Sequence, residues 1–271
     1  MKTSTVESAK FGPWALVTGA SSGIGAEFAR QLALAGFNLV LAARRKTLLD
    51  QLGQELRQQL DIETRTVVVD LSQSEAVEQL AEATGTLDIG VVISNAGTGQ
   101  PTEFLKEPHG ERLDRFRLNA LSHLNMAHYF GARLVQRARG ALLFGGAMGA
   151  AHGIPFMAND AGSKAFVQSL GESLHVEFAR HGVHVTVLVV PPTDTAIIAK
   201  FGLSPAQMPM RPMSPRQCAS EALRALWKNQ SLCLPGASNR LMSALVPGKL
   251  ARMMMGRMIE QVLSERARAG I

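Results

Sequence analysis

The stretch Thr18-Gly19-Ala20-Ser21-Ser22-Gly23-Ile24-Gly25 constrains the fold of this chain more than any other part of it. It follows an apolar run, Ala15-Leu16-Val17, and opens an amphipathic segment. Glycines spaced this closely between a strand and a helix let backbone pass close to another group. They also aim the free N–H groups of a helix N-terminus at whatever sits there. Gly19 suits the tight turn, and Gly23 and Gly25 permit close approach and packing of the helix on its strand. A pyrophosphate is the group such a turn accommodates.

The rest of the chain repeats this strand-then-helix order. Apolar, β-rich runs near 14–18, 37–43, 64–69, 89–94, 140–145, 183–190 and 231–234 predict strands. Helical patterns fill 23–36, 46–60, 74–84, 110–138, 157–181 and 215–229, with a last helical stretch from about 238 to 268. Alternation of this kind predicts an α/β fold: a single doubly wound, Rossmann-type domain with a seven-stranded parallel sheet and helices on both faces. A C-terminal helical extension begins at about 237. Two helix starts carry local signatures, Ser72 with Glu75 as a capping box and Ser214-Pro215-Arg216-Gln217 as a box with proline at the first position.

Composition adds boundaries. A hydrophobic fraction of 46% over 271 residues supports a full core. No apolar run is long enough to span a bilayer, the first eight residues lack the apolar stretch of a signal peptide, and two cysteines make no disulfide framework. The cytoplasm is the expected location. The net charge of +6 comes from scattered basic residues without interleaved aromatics, so no nucleic-acid partner is expected. His123 and His128 are five apart, off a shared helical face, and no metal site is expected.

Four motifs together resemble the short-chain dehydrogenase/reductase family over nearly the whole chain. They are the TGxxxGxG spacing at 18–25, Asn95-Ala96-Gly97 after an apolar run, Leu118-Asn119, and Ser163-Lys164-Ala165-Phe166. The resemblance implies a nicotinamide dinucleotide held by Gly19, Ser21, Ser22, Gly23, Ile24, Gly25, Asp70, Leu71, Asn95, Ala96, Gly97, Lys164 and Thr195. Asp70 would meet the adenine ring, Thr195 the carboxamide, Asn119 a relay water, and Lys164 the ribose. In the family a tyrosine four residues before the lysine and a serine thirteen before the tyrosine complete the centre. Here those positions are Asp160 and Ala147. The only tyrosine, Tyr129, lies about ten residues past Asn119, roughly 15 Å along a helix. The glycine usual after the sixth strand is Pro191, and Ser94 stands for the first asparagine of the family's NNAG.

The end of the second strand reads Leu41-Ala42-Ala43-Arg44-Arg45-Lys46. No carboxylate stands at Ala43 to bond a ribose 2′-hydroxyl, and Arg44 offers a phosphate partner. NADP(H) is therefore the expected cofactor.

Asp160 sits one helical turn from Lys164, which is expected to hold it ionised and make it a poor acid. Losing a positioned general acid forfeits about 10²–10⁴-fold in rate. An NADP(H)-dependent oxidoreductase with an atypical site, acting on an imine-like or otherwise unusual apolar substrate, is the leading reading. Asp160, Asn119 and Lys164 are its catalytic candidates, and Ala147, His152 and Met157 its pocket candidates. A catalytically inactive NADP(H)-binding sensor or scaffold and a redox-neutral lyase or isomerase stay open beside it. The proline- and methionine-rich segment 192–214 is expected to fold over the substrate. The resemblance implies a homodimer or homotetramer, built on the two long helices through Leu121, Leu124, Phe130, Phe166, Leu170 and Phe178. Leu241, Leu245, Leu250, Met254, Met258 and Val262 recur at near-helical spacing. They are open to core packing, to shielding a pocket, or, third, to lying on a membrane surface, although membrane contact is not part of the leading reading.

Overall fold

The computed structural model describes residues 5–202 and 211–269. Its strands are β1 (Trp14–Thr18), β2 (Asn38–Ala43), β3 (Thr64–Val68), β4 (Ile89–Ser94), β5 (Gly140–Gly145), β6 (Val183–Leu188) and β7 (Leu232–Cys233). They form one sheet in the order β3-β2-β1-β4-β5-β6-β7, and every pairing is parallel. β4 and β5 are buried along their whole length, as strands covered on both faces must be.

The helices between them are α1 (Thr5–Phe11), α2 (Gly23–Leu34), α3 (Lys46–Gln59), α4 (Ala76–Ala83), α5 (His109–Phe116) and α6 (Ser122–Gln136). α7 (Ala158–Ala179), α8 (Ala196–Lys200), α9 (Pro215–Trp227), α10 (Ala237–Leu245) and α11 (Gly248–Ala269) follow. One core, built on Phe28, Phe37, Leu39 and Leu41, lies under α2, α3 and α9. A second, built on Leu16, Val92, Phe130 and Phe144, lies under α4, α6 and α7. Fully burying each of these side chains contributes roughly 1.5–3 kcal/mol.

Strand order reverses between β1 and β4, and the carboxyl ends of those two strands open a crevice there. The Thr18 hydroxyl locks its floor, accepting from the backbone N–H of Asn95 at 3.0 Å and of Ala96 at 3.1 Å.

Several expectations need correction. The long helix expected over 110–138 is present from His109 to Gln136, with a π-helical turn, Arg117–Leu121, inside it. Phe130 belongs to the core rather than to an assembly face, and Phe178 packs against that core, whereas Leu121, Leu124 and Phe166 are exposed. Ser72 does not cap α4: its hydroxyl and N–H both bond the Asp70 carboxylate. Ser214 does cap α9, accepting from the Gln217 N–H at 3.2 Å. The C-terminal stretch breaks at Val246-Pro247, where the residue before proline is held extended (φ −92°, ψ 114°). The middle of the segment expected to fold over the substrate, 203–210, lies outside the described residues.

Candidate active site

Backbone builds one half of the crevice. A Cβ on Gly25 would overlap the Gly19 carbonyl, so α2 starts in direct contact with the turn that precedes it. The Thr195 methyl faces Gly23 across the turn, bringing the loop after β6 against the glycine loop. Ser21 and Ser22 sit at the mouth, and Arg45, not Arg44, reaches them. Its Nη2 donates to Ser21 Oγ at 2.9 Å and to Ser22 Oγ at 2.5 Å. Arg44 lies 3.9 Å from the Asp70 carboxylate, half-exposed on both sides. Leu71 turns its side chain into the second core, leaving only backbone for the crevice. Ile24 packs on the first core. A bare turn, a twelve-residue helix whose first N–H groups are free, and a guanidinium at the mouth fit the phosphates of a dinucleotide.

Side chains build the other half. Arg115, Asn119 and His123 are spaced by four along α5, the π turn and α6, and they face Asp160 and Lys164, spaced by four on α7. Arg115 Nη1 lies 3.6 Å from Asp160 Oδ2, Asn119 Nδ2 donates to Asp160 Oδ1 at 3.4 Å, and Lys164 Nζ lies 3.5 Å from His123 Nε2. These contacts form two facing ladders of polar side chains. The π turn places Asn119 so that its amide also closes on Thr98, donating to the carbonyl at 2.7 Å and accepting from the N–H at 2.9 Å. A Cβ on Gly97 would press on Lys164 Nζ at 3.1 Å and Asn119 Oδ1 at 3.2 Å.

Lys164 Nζ donates to the Gly145 carbonyl at 2.6 Å, and burial lowers its ammonium to about 8, only partly offset by Asp160. His123 is fully buried, with Nδ1 2.7 Å from Ser94 Oγ. Burial, then the neighbouring Lys164 charge, hold it well below the usual imidazole range. Asp160 does not follow the expectation of a carboxylate held down by lysine. Burial raises it, and the Gln100 N–H at 3.0 Å, Arg115 and Lys164 only offset that rise. Arg115 also pairs with buried Glu107, which in turn lies 3.6 Å from Arg112 Nε. Two arginines thus balance two carboxylates.

A cavity of about 390 Å³ opens beside Asp160, between the segment around Phe104 and Phe156-Met157. Met157 lines it, and neither Ala147 nor His152 does. His152 is exposed on a 3₁₀ turn, with its ring against the start of α11 at Gly248. Tyr129 points elsewhere, toward Glu78 of α4, and its phenol is raised by burial and by that carboxylate. Arg115 and His123 are the residues that sequence reasoning missed. Their spacing of four about Asn119 was the available signal.

The sheet order, the glycine turn at the switch point and the Asn119–Lys164 pair define a doubly wound dinucleotide-binding protein. Residues 13–204 match the short chain dehydrogenase family, and the chain belongs to it. It is 39% identical over 193 residues to the very-long-chain 3-oxoacyl-CoA reductase of Podospora anserina. That match takes in 69% of this chain and 57% of the relative, so the chain spans a little over half of that protein's length. Among solved structures it is similar to a short-chain dehydrogenase from Sphingobium yanoikuyae in complex with NADPH (28% identity, TM-score 0.76, 82% of this chain and 87% of that one). It is also similar to a 7β-hydroxysteroid dehydrogenase (26% identity, TM-score 0.84, 92% of this chain and 98% of that one).

Proposed function

We propose that this chain is an NADP(H)-dependent oxidoreductase with an atypical centre. In this reading it reduces an apolar carbonyl compound of the 3-oxoacyl type, and Lys164 rather than a tyrosine holds the proton. The observation that carries the reading is the pair of facing ladders. Asp160, which the resemblance sets where the family has its tyrosine, is committed to Arg115, Asn119 and the Gln100 N–H, while Lys164, at about 8, is the one group of the ladders poised to lose a proton near neutral pH. When bound, the cofactor supplies the hydride. The chain's own task is to orient the nicotinamide ribose against Lys164 and Asn119, to keep an ammonium beside the reacting oxygen, and to close the apolar walls of the cavity. Neutral His123 accepts from Lys164 and leaves the charge on Nζ.

An imine-like substrate would need an unbalanced carboxylate, and Asp160 shares its charge with Arg115, Glu107 and Arg112. The name of the Podospora relative points the same way, toward a carbonyl in an acyl chain. NADP(H) is favoured over NAD(H) because Arg45 stands at the serines of the glycine loop and Ala43 brings no competing carboxylate. We read the whole chain as one domain with a C-terminal helical extension. It pairs with a second copy through the exposed Leu121, Leu124 and Phe166.

The test is NADPH oxidation with 3-oxoacyl thioesters of increasing chain length. It is run on the wild type, on Lys164→Met and on Ala147→Ser with Asp160→Tyr, with NADPH affinity measured in parallel by fluorescence. Turnover that rises with chain length and disappears in Lys164→Met is expected. NADPH binding without turnover across the panel would make the chain a sensor or scaffold, and product without NADPH oxidation would make it a lyase or isomerase. The double substitution should raise ketone reduction only modestly, because Asp160→Tyr also strips Arg115 of a partner. If the wild type already matches it, the absence of a phenol and a serine hydroxyl is no handicap to Lys164 as the proton donor.

A further inference from the structure

α11 is apolar on two sides, and only one side is covered. Its inner face packs onto the body of the protein. Ile259 and Val262 are buried, with Val262 and Met258 against Ile198 and Phe201, Gly256 abuts Pro155, and Arg252 Nη1 donates to the His152 carbonyl at 3.1 Å. Its outer face carries Leu250, Met253 and Met254, spaced by three and four and therefore on one stripe. These three are 41–54% exposed, and Leu241 and Leu245 on α10 are 61% and 70% exposed. A helix that is apolar on opposite sides is stable when both sides are buried.

Charge identifies what covers the outer side. From Ala222 to Ile259 there is no aspartate or glutamate, while Arg224, Lys228, Arg240, Lys249, Arg252 and Arg257 fall within that stretch. Arg240 is spent on Glu221 at 3.2 Å. Lys249 and Arg257 are exposed, and each lies four residues from Met253, so they flank the apolar stripe. Methionine and leucine in the middle, with Lys249 and Arg257 beside them and an exposed acid, Glu260, beyond Arg257, match an anionic lipid surface, where apolar side chains enter the headgroup boundary and cations meet phosphates. A second copy of the chain would bring the same cations face to face. No helix among the described residues is long and apolar enough to cross a membrane, so a helix lying in the interface is what this pattern allows.

We infer that α10 and α11 dock on an anionic membrane surface with Leu241, Leu245, Leu250, Met253 and Met254 inserted. The opposite side of α11 meets His152 and Pro155, directly before the Phe156-Met157 wall of the cavity beside Asp160. Docking therefore brings that edge of the molecule to the lipid. The inference rests on this surface alone and not on the reaction proposed above.

Co-sedimentation of the full chain with vesicles tests it, comparing phosphatidylcholine alone with phosphatidylcholine plus phosphatidylglycerol. Two variants are compared with the wild type, Leu250→Ser/Met253→Ser/Met254→Ser and Lys249→Glu/Arg257→Glu. Both change only exposed positions, and an unchanged circular-dichroism spectrum together with an unchanged unfolding midpoint verifies the fold. The wild type should bind the anionic vesicles, release from them as salt rises, and ignore the neutral ones. Each variant should lose about tenfold or more of that binding. Absence of anionic-vesicle binding, equal binding to neutral vesicles, or variants that bind as the wild type does would overturn the inference. So would light scattering in which the serine variant turns a dimer into a monomer without altering vesicle binding, since a second copy would then be the occupant.

Discussion

The two halves of the crevice are built from different materials. At the glycine-turn end, backbone does the work: Gly25 touches the Gly19 carbonyl, Thr195 rests on Gly23, and Thr18 ties β1 to the start of Asn95-Ala96-Gly97. At the Asp160–Lys164 end the work falls to polar side chains, with Arg115, Asn119 and His123 facing Asp160 and Lys164. Backbone geometry tolerates few substitutions, because its function depends on the absence of atoms. A side-chain network tolerates exchange as long as every buried charge keeps a partner.

Substitution at Lys164 should separate the halves most sharply. Lys164→Met is expected to lower kcat by about 10²–10⁴-fold while a smaller loss appears in NADPH affinity. In the wild type, reduction should fall as pH rises through about 8, because the ammonium is the proton-bearing form, and the variant should lack that limb. Stability carries a second signature. The folded lysine is depressed to about 8 from 10.5, so between those values the unfolded chain binds more protons and wild-type stability should rise with pH. Urea midpoints at several pH values, with Lys164→Met as reference, check it.

Arg115→Ala comes next, acting on stability rather than on the cofactor. It leaves Asp160 and Glu107 buried without their shared cation, which costs about 3–5 kcal/mol. Asp160→Asn should cost less. Because burial raises the Asp160 carboxyl above 3.8, the wild type should gain on this variant as pH falls and lose ground as pH rises through the raised value. Denaturant unfolding of both variants decides this, and equal losses at neutral pH would mean that the ladder is not charge-balanced as described.

Gly25→Val probes the backbone half. The added atoms must displace the Gly19 carbonyl, costing about 1–3 kcal/mol by overpacking, with NADPH binding lost and the contacts at the Asp160–Lys164 end intact. Thermal unfolding alongside NADPH titration reads both effects, and retained affinity would refute the cradle.

The smallest effect separates two adjacent arginines. Arg45→Ala should weaken NADPH by about tenfold and leave NADH nearly unchanged, consistent with a charge-assisted bond of about 1.5–3 kcal/mol. Arg44→Ala should do less, because Arg44 turns toward Asp70. Equal losses in the two variants would return the phosphate contact to Arg44.

What could be read before the fold was known follows a physical line. Strand runs, the glycine turn, Asn119 and Lys164 are local patterns, set by a backbone requirement within a few residues, and they were legible. Arg115 and His123 were not, although each is four residues from Asn119, because spacing along one helix says nothing of the helix opposite. The same holds for Arg45, whose reach to Ser21 and Ser22 crosses 24 and 23 residues of sequence.

By itself the sequence determined the order of strands and helices, the bare turn after β1, and the positions of Asp160 and Lys164 one helical turn apart. Local periodicity and the steric needs of glycine settle such features wherever they occur. Tertiary structure decided the rest. It placed Asp160 beside Arg115 and the Gln100 N–H, so that burial rather than lysine governs its proton. It turned Tyr129 toward Glu78, sent Phe130 into the core, and folded α11 back onto His152. These outcomes depend on desolvation and on contacts between residues far apart in the chain, and both exist only once the chain has closed on itself.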